Sequence, residues 1–179
     1  MKVEVGGFAV ESFFDELPAI WPEFERRAAL VEHFDAKKEQ ATLLGVALWS
    51  RAEKDWPRVV ITQRFSPGLT SGFIPGVVVI PETHIVFMGA GTLLLAFDMR
   101  EPRRLWEDFT QVGFWGWRRH GEAVLMSAEL ELAAYDTVGQ RRWSVEVEPP
   151  WSYSVENNEV VLDIMGTIQR FSLVAGPTL

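Results

Sequence analysis

The sequence predicts a mainly β protein of antiparallel meander sheets, with one short helix near the N-terminus. Short β-branched and aromatic runs follow one another from Val59 onward, and the principal ones are residues 59–62, 76–80, 84–88, 93–97 and 168–173. The segments between them are rich in Gly, Asp and Asn, which tolerate the backbone of tight hairpins, as at residues 89–91, 136–139 and 157–158. No long helix is expected after residue 50.

The composition excludes several classes of function. The chain has 179 residues, no cysteine, 17 Lys+Arg against 25 Asp+Glu, and a formal net charge of -8. A chain of this length buries enough surface for one core, so we expect a single domain over residues 1–179. Without cysteine there is no disulfide framework, thiolate metal site or cysteine nucleophile. The acidic balance disfavours nucleic acid and anionic membranes as partners, and no signal peptide or membrane span is recognised, so we expect a cytoplasmic location.

The N-terminal region, residues 1–58, is expected to supply a strand pair and a short helix. Residues 11–17 are typical of a helical turn, and residues 22–31 open on Pro22 followed by acids, as first helical turns do. A second interpretation is a hairpin of residues 29–34 and 41–49 around a turn at 37–40. Both interpretations stay open. The longest loop, residues 65–75, either carries function or merely connects, and residues 176–179 are expected to be a tail.

An internal repeat covers residues 76–173. A shift of about 38 residues aligns 86–88 with 124–126, Leu94 with Leu132, 96–98 with 134–136, and Arg104 with Arg142. A further shift of about 37 residues lays Val124-Leu125 on Val161-Leu162 and gives a partial third copy. Each copy runs strand, turn, strand ending in Ala-aromatic-Asp, basic turn, and a strand with an early Trp. Such a repeat predicts blade-like units of sheet.

The repeat carries a resemblance to a known family. Ala-x-Asp followed by Trp occurs twice, as Ala96-x-Asp98 with Trp106 and as Ala134-x-Asp136 with Trp143. This spacing resembles the tryptophan-containing blade repeat of quinoprotein-like β-propellers, a class that includes pyrroloquinoline-quinone dehydrogenases and an outer-membrane barrel-assembly lipoprotein. The second copy is one residue shorter, and the family's Thr-Gly before the Trp is Glu101-Pro102 in the first copy and only Gly139 in the second.

What the resemblance implies is limited by length. The family's domains have about six to eight blades, whereas this chain has room for three or four, so the implied fold is a partial or minimal propeller-like stack. The resemblance implies quinone chemistry, but the blade number, the lack of an export signal and the lack of matching ligands argue against it, and we expect no cofactor. The repeated Asp is expected to accept hydrogen bonds from its turn, and the repeated Trp to fill the gap between sheets and donate its indole N–H to a carbonyl.

Residues 109–120 are the segment with the most chemical potential, because two Trp, two Arg and one His lie within six residues. One interpretation is an aromatic platform with cationic donors for a sugar, a peptide or a nucleobase. The other, which we favour, is a packed or interface strand, with Phe114 and Arg118 on one parity and Trp115 and Trp117 on the other. Trp151 and Tyr153 recur one repeat later. The candidate binding residues are therefore Trp115, Trp117, Arg118, Arg119, His120, Trp151 and Tyr153.

No catalytic or metal site is predicted. His33, His84 and His120 lack metal-ligand spacing, and no serine has the flanking glycines of a nucleophile elbow. We therefore expect a non-catalytic protein-interaction or assembly module that binds a partner or a second copy as a homodimer, because a short stack leaves sheet faces and edges open; coverage of one end by the N-terminal segment is the other option. The alternative is a small-ligand-binding protein or hydrolytic enzyme that uses segment 109–120 with the pair Glu129 and Glu131.

Overall fold

The computed structural model describes residues 2–35, 41–50, 55–66 and 74–178. The N-terminal elements are β1 (Lys2–Val5), β2 (Phe8–Phe14), α1 (Trp21–Arg27), β3 (Leu30–Phe34), β4 (Thr42–Ser50) and β5 (Val59–Phe65). The following strands are β6 (Gly76–Ile80), β7 (Ile85–Ala90), β8 (Leu93–Asp98), β9 (Arg103–Phe109), β10 (Phe114–His120), β11 (Ala123–Ala128), β12 (Glu131–Asp136), β13 (Arg141–Glu146), β14 (Trp151–Glu156), β15 (Glu159–Ile164) and β16 (Thr167–Ser172). The fold is mainly β, with one short helix among these residues, as predicted.

The chain divides into two compact units. Unit 1 comprises Met1–Ser71, Val79–Val86 and Ala96–Trp106, and unit 2 comprises Gly72–Val78, Phe87–Leu95 and Glu107–Leu179. The expected single domain stays a prediction. Within the described residues, no helix combines the length and the apolar character needed to cross a membrane.

Unit 1 contains a five-stranded sheet of order β1-β2-β4-β5-β3. The predicted hairpin of residues 29–34 with 41–49 is wrong, because β5 lies between β4 and β3 and pairs with β3 in parallel. The helical turn predicted at residues 11–17 is also wrong: β2 runs to Phe14, since pairing with both β1 and β4 outweighs the local pattern. The predicted turn at 37–40 and most of loop 65–75 fall outside the described residues.

Helix α1 covers one face of this sheet. Pro22 occupies the first helical turn with Glu23 beside it, as the sequence predicts for a helix start. Hydrogen bonds from Arg26 and Arg27 lower the pKa of Glu23 to about 2. The apolar side of the helix buries Trp21 and Phe24, which pack on Ala47, Trp49 and Val60 of the sheet. The helix thus removes an apolar sheet face from water within unit 1.

The repeat appears as three consecutive meander sheets. The strand orders are β6-β7-β8-β9, β10-β11-β12-β13 and β14-β15-β16. The four strands of the first sheet correspond one by one to those of the second at a constant spacing along the chain, from Gly76 and Phe114 to Arg103 and Arg141. The third copy follows at a slightly shorter spacing and has three strands. The predicted blade-like units are therefore present, two complete and one partial.

The repeated Asp holds its turn as predicted. Asp98 Oδ1 accepts the backbone N–H of Arg100 at 2.8 Å, and Asp136 Oδ1 accepts that of Gln140 at 2.7 Å. The third copy has Ser172 at this place, and its Oγ accepts the N–H of Ala175 at 3.2 Å. In all three copies the side-chain oxygen at this place accepts the backbone N–H two residues later, from Arg100, Val138 and Val174, so the start of the turn is built alike three times, the last time with a hydroxyl.

The repeated Trp fills an inter-sheet gap in the second copy. Trp143 lies edge-on to Phe171 of β16, with ring centroids 5.3 Å apart, and its Nε1 donates to the Leu173 carbonyl at 2.9 Å. Trp106 in the first copy is half-buried. The residues after β16 are not a free tail, since Gly176 is buried against the Trp143 indole, where an added Cβ would stand 2.5 Å from Cγ.

The third sheet has one apolar and one polar face. Trp151, Tyr153 and Val155 of β14 point into the core of unit 2, whereas the alternating residues Ser152, Ser154 and Glu156 are exposed. Such alternation is typical of a sheet with one face in water. In the part of the chain that the structure describes, no strand pairs with the outer edge of β16.

Candidate functional site

A β-bulge in β10 shapes the candidate site. Phe114 lies opposite Ala128 of β11, but Gly116 lies opposite Ser127, so Trp115 is the extra residue. A bulge re-aims the side chains on its two sides. The predicted common parity of Trp115 and Trp117 is therefore wrong, because the inserted residue puts them on opposite faces of the sheet.

Trp115 joins an aromatic stack on the side of β14. Its ring is stacked on Trp151, with centroids 5.0 Å apart and planes at 16°. Tyr153 continues the row at 6.2 Å and 23° from Trp151. Trp151 is 9% exposed, and its Nε1 donates to the Glu129 carbonyl at 2.9 Å. Trp151 is thus chiefly a packing residue, while Trp115 and Tyr153 are half-buried.

An open cleft of about 330 Å³ lies at this stack, between the first strands of two sheets of unit 2. It is lined by Trp115, Gly116, Trp117, Arg118, Ser127, Trp151, Ser152 and Tyr153. We call this site the β10/β14 cleft. It brings together five of the seven candidate residues.

Trp117 borders the cleft, but its ring packs on the opposite face of the sheet. The ring centroid is 5.2 Å from Phe87, 5.6 Å from Phe114 and 5.6 Å from Tyr135. The Trp117 Nε1 is buried and makes no hydrogen bond within the described structure. Trp117 is therefore mainly a core residue of unit 2.

The two arginines lie on opposite faces of β10 because they are consecutive residues of a regular strand segment. Arg118 lies opposite Leu125, whose face forms the core with the third sheet, whereas Arg119 lies opposite Val124 on the other face. Arg119 Nε donates to the Gly121 carbonyl at 2.8 Å. Only Arg118 lines the cleft, and the predicted pair of cationic donors is reduced to one.

His120 lies beside the cleft, against Tyr153, with ring centroids 6.5 Å apart at 71°. Burial lowers the pKa of His120, and the positive charge of Arg118 lowers it further, so the imidazole is neutral at pH 7. Burial raises the pKa of the Tyr153 hydroxyl, which therefore keeps its proton. The His120 Nε2 is buried without a hydrogen-bond partner in the described structure.

The proposed acid pair is not at the cleft. Glu131 lies opposite Glu146 and shares a face with Phe114 and Ala128, away from Arg118 and His120. Burial raises the pKa of Glu131, with contributions from Asp108 and Glu146. Glu129 reaches the stack through its carbonyl. Among the described residues, no cluster of His, Asp and Glu is suited to a metal ion.

Sequence reasoning missed two serines at the cleft. Ser127 lines it and its Oγ donates to the Gly116 carbonyl at 3.3 Å; Ser152 also lines it, but its side chain belongs to the exposed face of β14. Sequence reasoning also missed the bulge that shapes the cleft. Gly116 was a usable signal for it, since a glycine inside a strand often marks a bulge.

No protein-family model matches the chain, and no curated protein is similar to it in sequence. The solved structures that are similar to it in fold include BamB, Sqt1 and hydrazine synthase. For BamB from Moraxella catarrhalis the TM-score is 0.44 at 14% identity, covering 80% of this chain and 51% of that one. For Sqt1 from Saccharomyces cerevisiae the TM-score is 0.45 at 11% identity, covering 74% of this chain and 41% of that one. For hydrazine synthase from Kuenenia stuttgartiensis the TM-score is 0.46 at 12% identity, covering 79% of this chain and 45% of that one.

These three are β-propeller proteins. The chain spans about half of their length or less. Its own strands recur at the spacing of the sequence repeat, with the Asp-bonded turn in each complete copy. The chain thus resembles the tryptophan-containing blade repeat of β-propellers, at low sequence identity.

Proposed function

We propose that this chain is a non-catalytic protein-interaction module that binds a partner protein at the β10/β14 cleft. One observation carries the proposal. Trp115, Arg118, Trp151 and Tyr153 converge from two sheets on one open cleft. Aromatic residues and Arg are enriched at protein interfaces, where they combine apolar area with directed hydrogen bonds.

The chemistry of the cleft supports binding over catalysis. Its volume of about 330 Å³ is at the small end of the range for ligand sites, which suits a few side chains of a partner. Among the described residues that line it there is no carboxylate. The Nε2 of the neighbouring His120 is buried without a hydrogen-bond partner among the described residues, so that nitrogen is not aligned with a nucleophile. Hydrolysis with Glu131 is disfavoured because that side chain lies on the opposite face.

The partner we propose is a different protein in the cytoplasm. Two copies each carry a net charge of -8, and the exposed face of the third sheet is polar, so both features oppose self-association there. The open edge of β16 favours the alternative, a homodimer formed by strand pairing.

Sedimentation equilibrium separates a different partner protein from a homodimer. A monomer is expected, and a concentration-independent dimer contradicts the choice of partner.

Peptide selection tests the proposed site. Peptides are first selected on the wild-type chain from a displayed random library. Their affinity is then measured for Ser127→Phe, whose added ring fills the cleft. The control is Ser144→Phe, which adds the same ring at an exposed position of β13. Binding is expected to be lost in Ser127→Phe and kept in Ser144→Phe. Tyr153→Ala is the second cleft variant, and melting curves establish that each variant is folded. Equal binding to all variants, or no enriched peptide, overturns the proposal.

A further inference from the structure

We propose that the β10/β14 cleft selects a peptide segment with an acidic side chain next to an apolar one, and that Arg118 binds the carboxylate. This inference rests on the proposed function and specifies the partner's chemistry.

The polar groups of the cleft are mostly hydrogen-bond donors. Arg118 offers guanidinium N–H groups, and Tyr153 offers a hydroxyl. Because burial raises the pKa of Tyr153, its hydroxyl stays protonated and remains able to donate. With no carboxylate among the described lining residues, this donor set calls for an acceptor group with negative charge.

Arg118 differs from arginines elsewhere in the same unit. Arg142 pairs with Asp136 at 2.7 Å, Arg141 with Asp108 at 3.3 Å, and Arg170 with Glu156 at 3.5 Å. In the residues that the structure describes, Arg118 has no ion pair with a carboxylate, although the chain has an excess of acids. The exposed guanidinium of Arg118 therefore lacks the carboxylate that these three arginines have. An acidic side chain of a partner would supply one.

A carboxylate fits this arrangement better than a phosphate. A single guanidinium binds one carboxylate through two parallel hydrogen bonds. Phosphate groups are usually recognised by clusters of arginines, and here the adjacent Arg119 lies on the opposite face of the sheet. The net charge of -8 further disfavours a nucleic-acid phosphate backbone.

The aromatic wall accounts for the apolar neighbour. Trp115 and Tyr153 are half-buried, and both lie along the same cleft as Arg118. An apolar side chain next to the acidic one would cover these rings and exclude water from the ion pair. Exclusion of water strengthens such a pair, because the local dielectric constant falls.

The test uses the full chain and peptides enriched from a random displayed library. We expect enrichment of Asp or Glu next to an aliphatic or aromatic residue. Arg118→Gln is expected to weaken binding by about tenfold or more, the usual loss for a charged hydrogen bond. Arg118→Lys, which keeps the charge but loses the planar fork, is expected to give an intermediate loss.

Arg119→Gln is the matched control, because it removes the same charge one residue away, on the other face. Its peptide affinity is expected to stay within about twofold of wild type. Replacing the peptide's acid by its amide should reproduce the loss seen with Arg118→Gln.

The outcomes separate this inference from the function beneath it. If peptides bind Ser127→Phe as well as wild type, or none is enriched, the cleft is not the contact site and both proposals fall. If binding is lost in Ser127→Phe but is equal in Arg118→Gln and wild type, the cleft stands and the acidic preference is overturned. Equal losses in Arg118→Gln and Arg119→Gln also overturn it, since they indicate only long-range attraction. Tighter binding of a synthetic peptide in which phosphoserine replaces the selected acid contradicts the choice of carboxylate.

Discussion

The indole of Trp115 lies nearly parallel to that of Trp151, at 5.0 Å between centroids and 16° between planes. The two rings come from the first strands of adjacent sheets, and the bulge at Trp115 turns its ring toward the third sheet. Aromatic pairs of this kind add about 1 kcal/mol beyond the area they bury. The stack therefore holds the two sheets together and at the same time forms one wall of the cleft.

Gly89→Ala is predicted to destabilise the fold strongly. A Cβ at residue 89 would stand 2.6 Å from the ring of Phe114, which is fully buried. The ring has no room to move away, so we expect a loss of about 2 kcal/mol in the free energy of unfolding. Gly116→Ala is the control, because its nearest neighbour would be Ser127 Oγ at 3.9 Å. Urea denaturation compares them, and equal midpoints would show that the Phe114 packing is wrong.

Trp143→Phe tests the packing role of the repeated tryptophan. The substitution leaves the Leu173 carbonyl without its 2.9 Å hydrogen bond and opens a cavity beside Phe171. We expect a loss of about 2 kcal/mol, combining an unpaired acceptor with lost packing. Ser144→Ala, at the exposed next residue, is expected to change stability by less than about 0.5 kcal/mol. Thermal melts that do not distinguish the two variants contradict this role.

Glu131→Gln is predicted to stabilise the protein at neutral pH. Burial raises the pKa of Glu131, so ionisation of this group costs stability as the pH rises through its folded pKa. Its neighbour across the strand pair is Glu146, a like charge. Removing the charge should therefore gain about 0.5 kcal/mol at pH 7, and the gain should vanish at a pH below the ordinary glutamate range. Glu148→Gln, at an exposed site, is the control. A gain that persists unchanged at low pH refutes the electrostatic cause.

The histidine at the cleft provides a pH signature. Burial and Arg118 lower the pKa of His120, so the unfolded chain takes up a proton more readily than the folded one. This contribution to stability is present above the unfolded histidine pKa of about 6.5 and is lost as the pH falls through the folded value.

Arg118→Gln should raise the His120 pKa part of the way back, because burial remains, whereas Arg119→Gln should have a much smaller effect. NMR titration of the imidazole protons measures both. If the two variants shift the His120 pKa equally, the placement of Arg118 on the His120 side is wrong.

Much of the fold was predictable from local patterns. The sequence repeat located the first two sheets, because each strand and turn repeats its chemistry, including Asp98 and Asp136. Pro22 with its neighbouring acids marked the helix. The third copy was harder to align, since Ser172 performs with a hydroxyl what Asp does in the other two copies.

The parts that failed depend on contacts distant in sequence. Strand β3 pairs in parallel with β5, and no local pattern distinguishes this arrangement from a hairpin with β4. At the site, the bulge moved Trp115 out of the parity of Trp117, and it moved Arg118 out of the parity of Phe114. Periodicity assumes one residue per step, so a single inserted residue reverses every later assignment.

Chemical-shift mapping of the amide groups, with the ¹⁵N-labelled chain and a selected acidic peptide, tests the central claim most directly. The account predicts that the perturbed amides concentrate in residues 115–118, Ser127 and residues 151–153, and that the His120 imidazole shifts as its neighbour Arg118 is neutralised. Perturbations concentrated along β16, or spread over helix α1, would contradict it and place the interaction surface elsewhere.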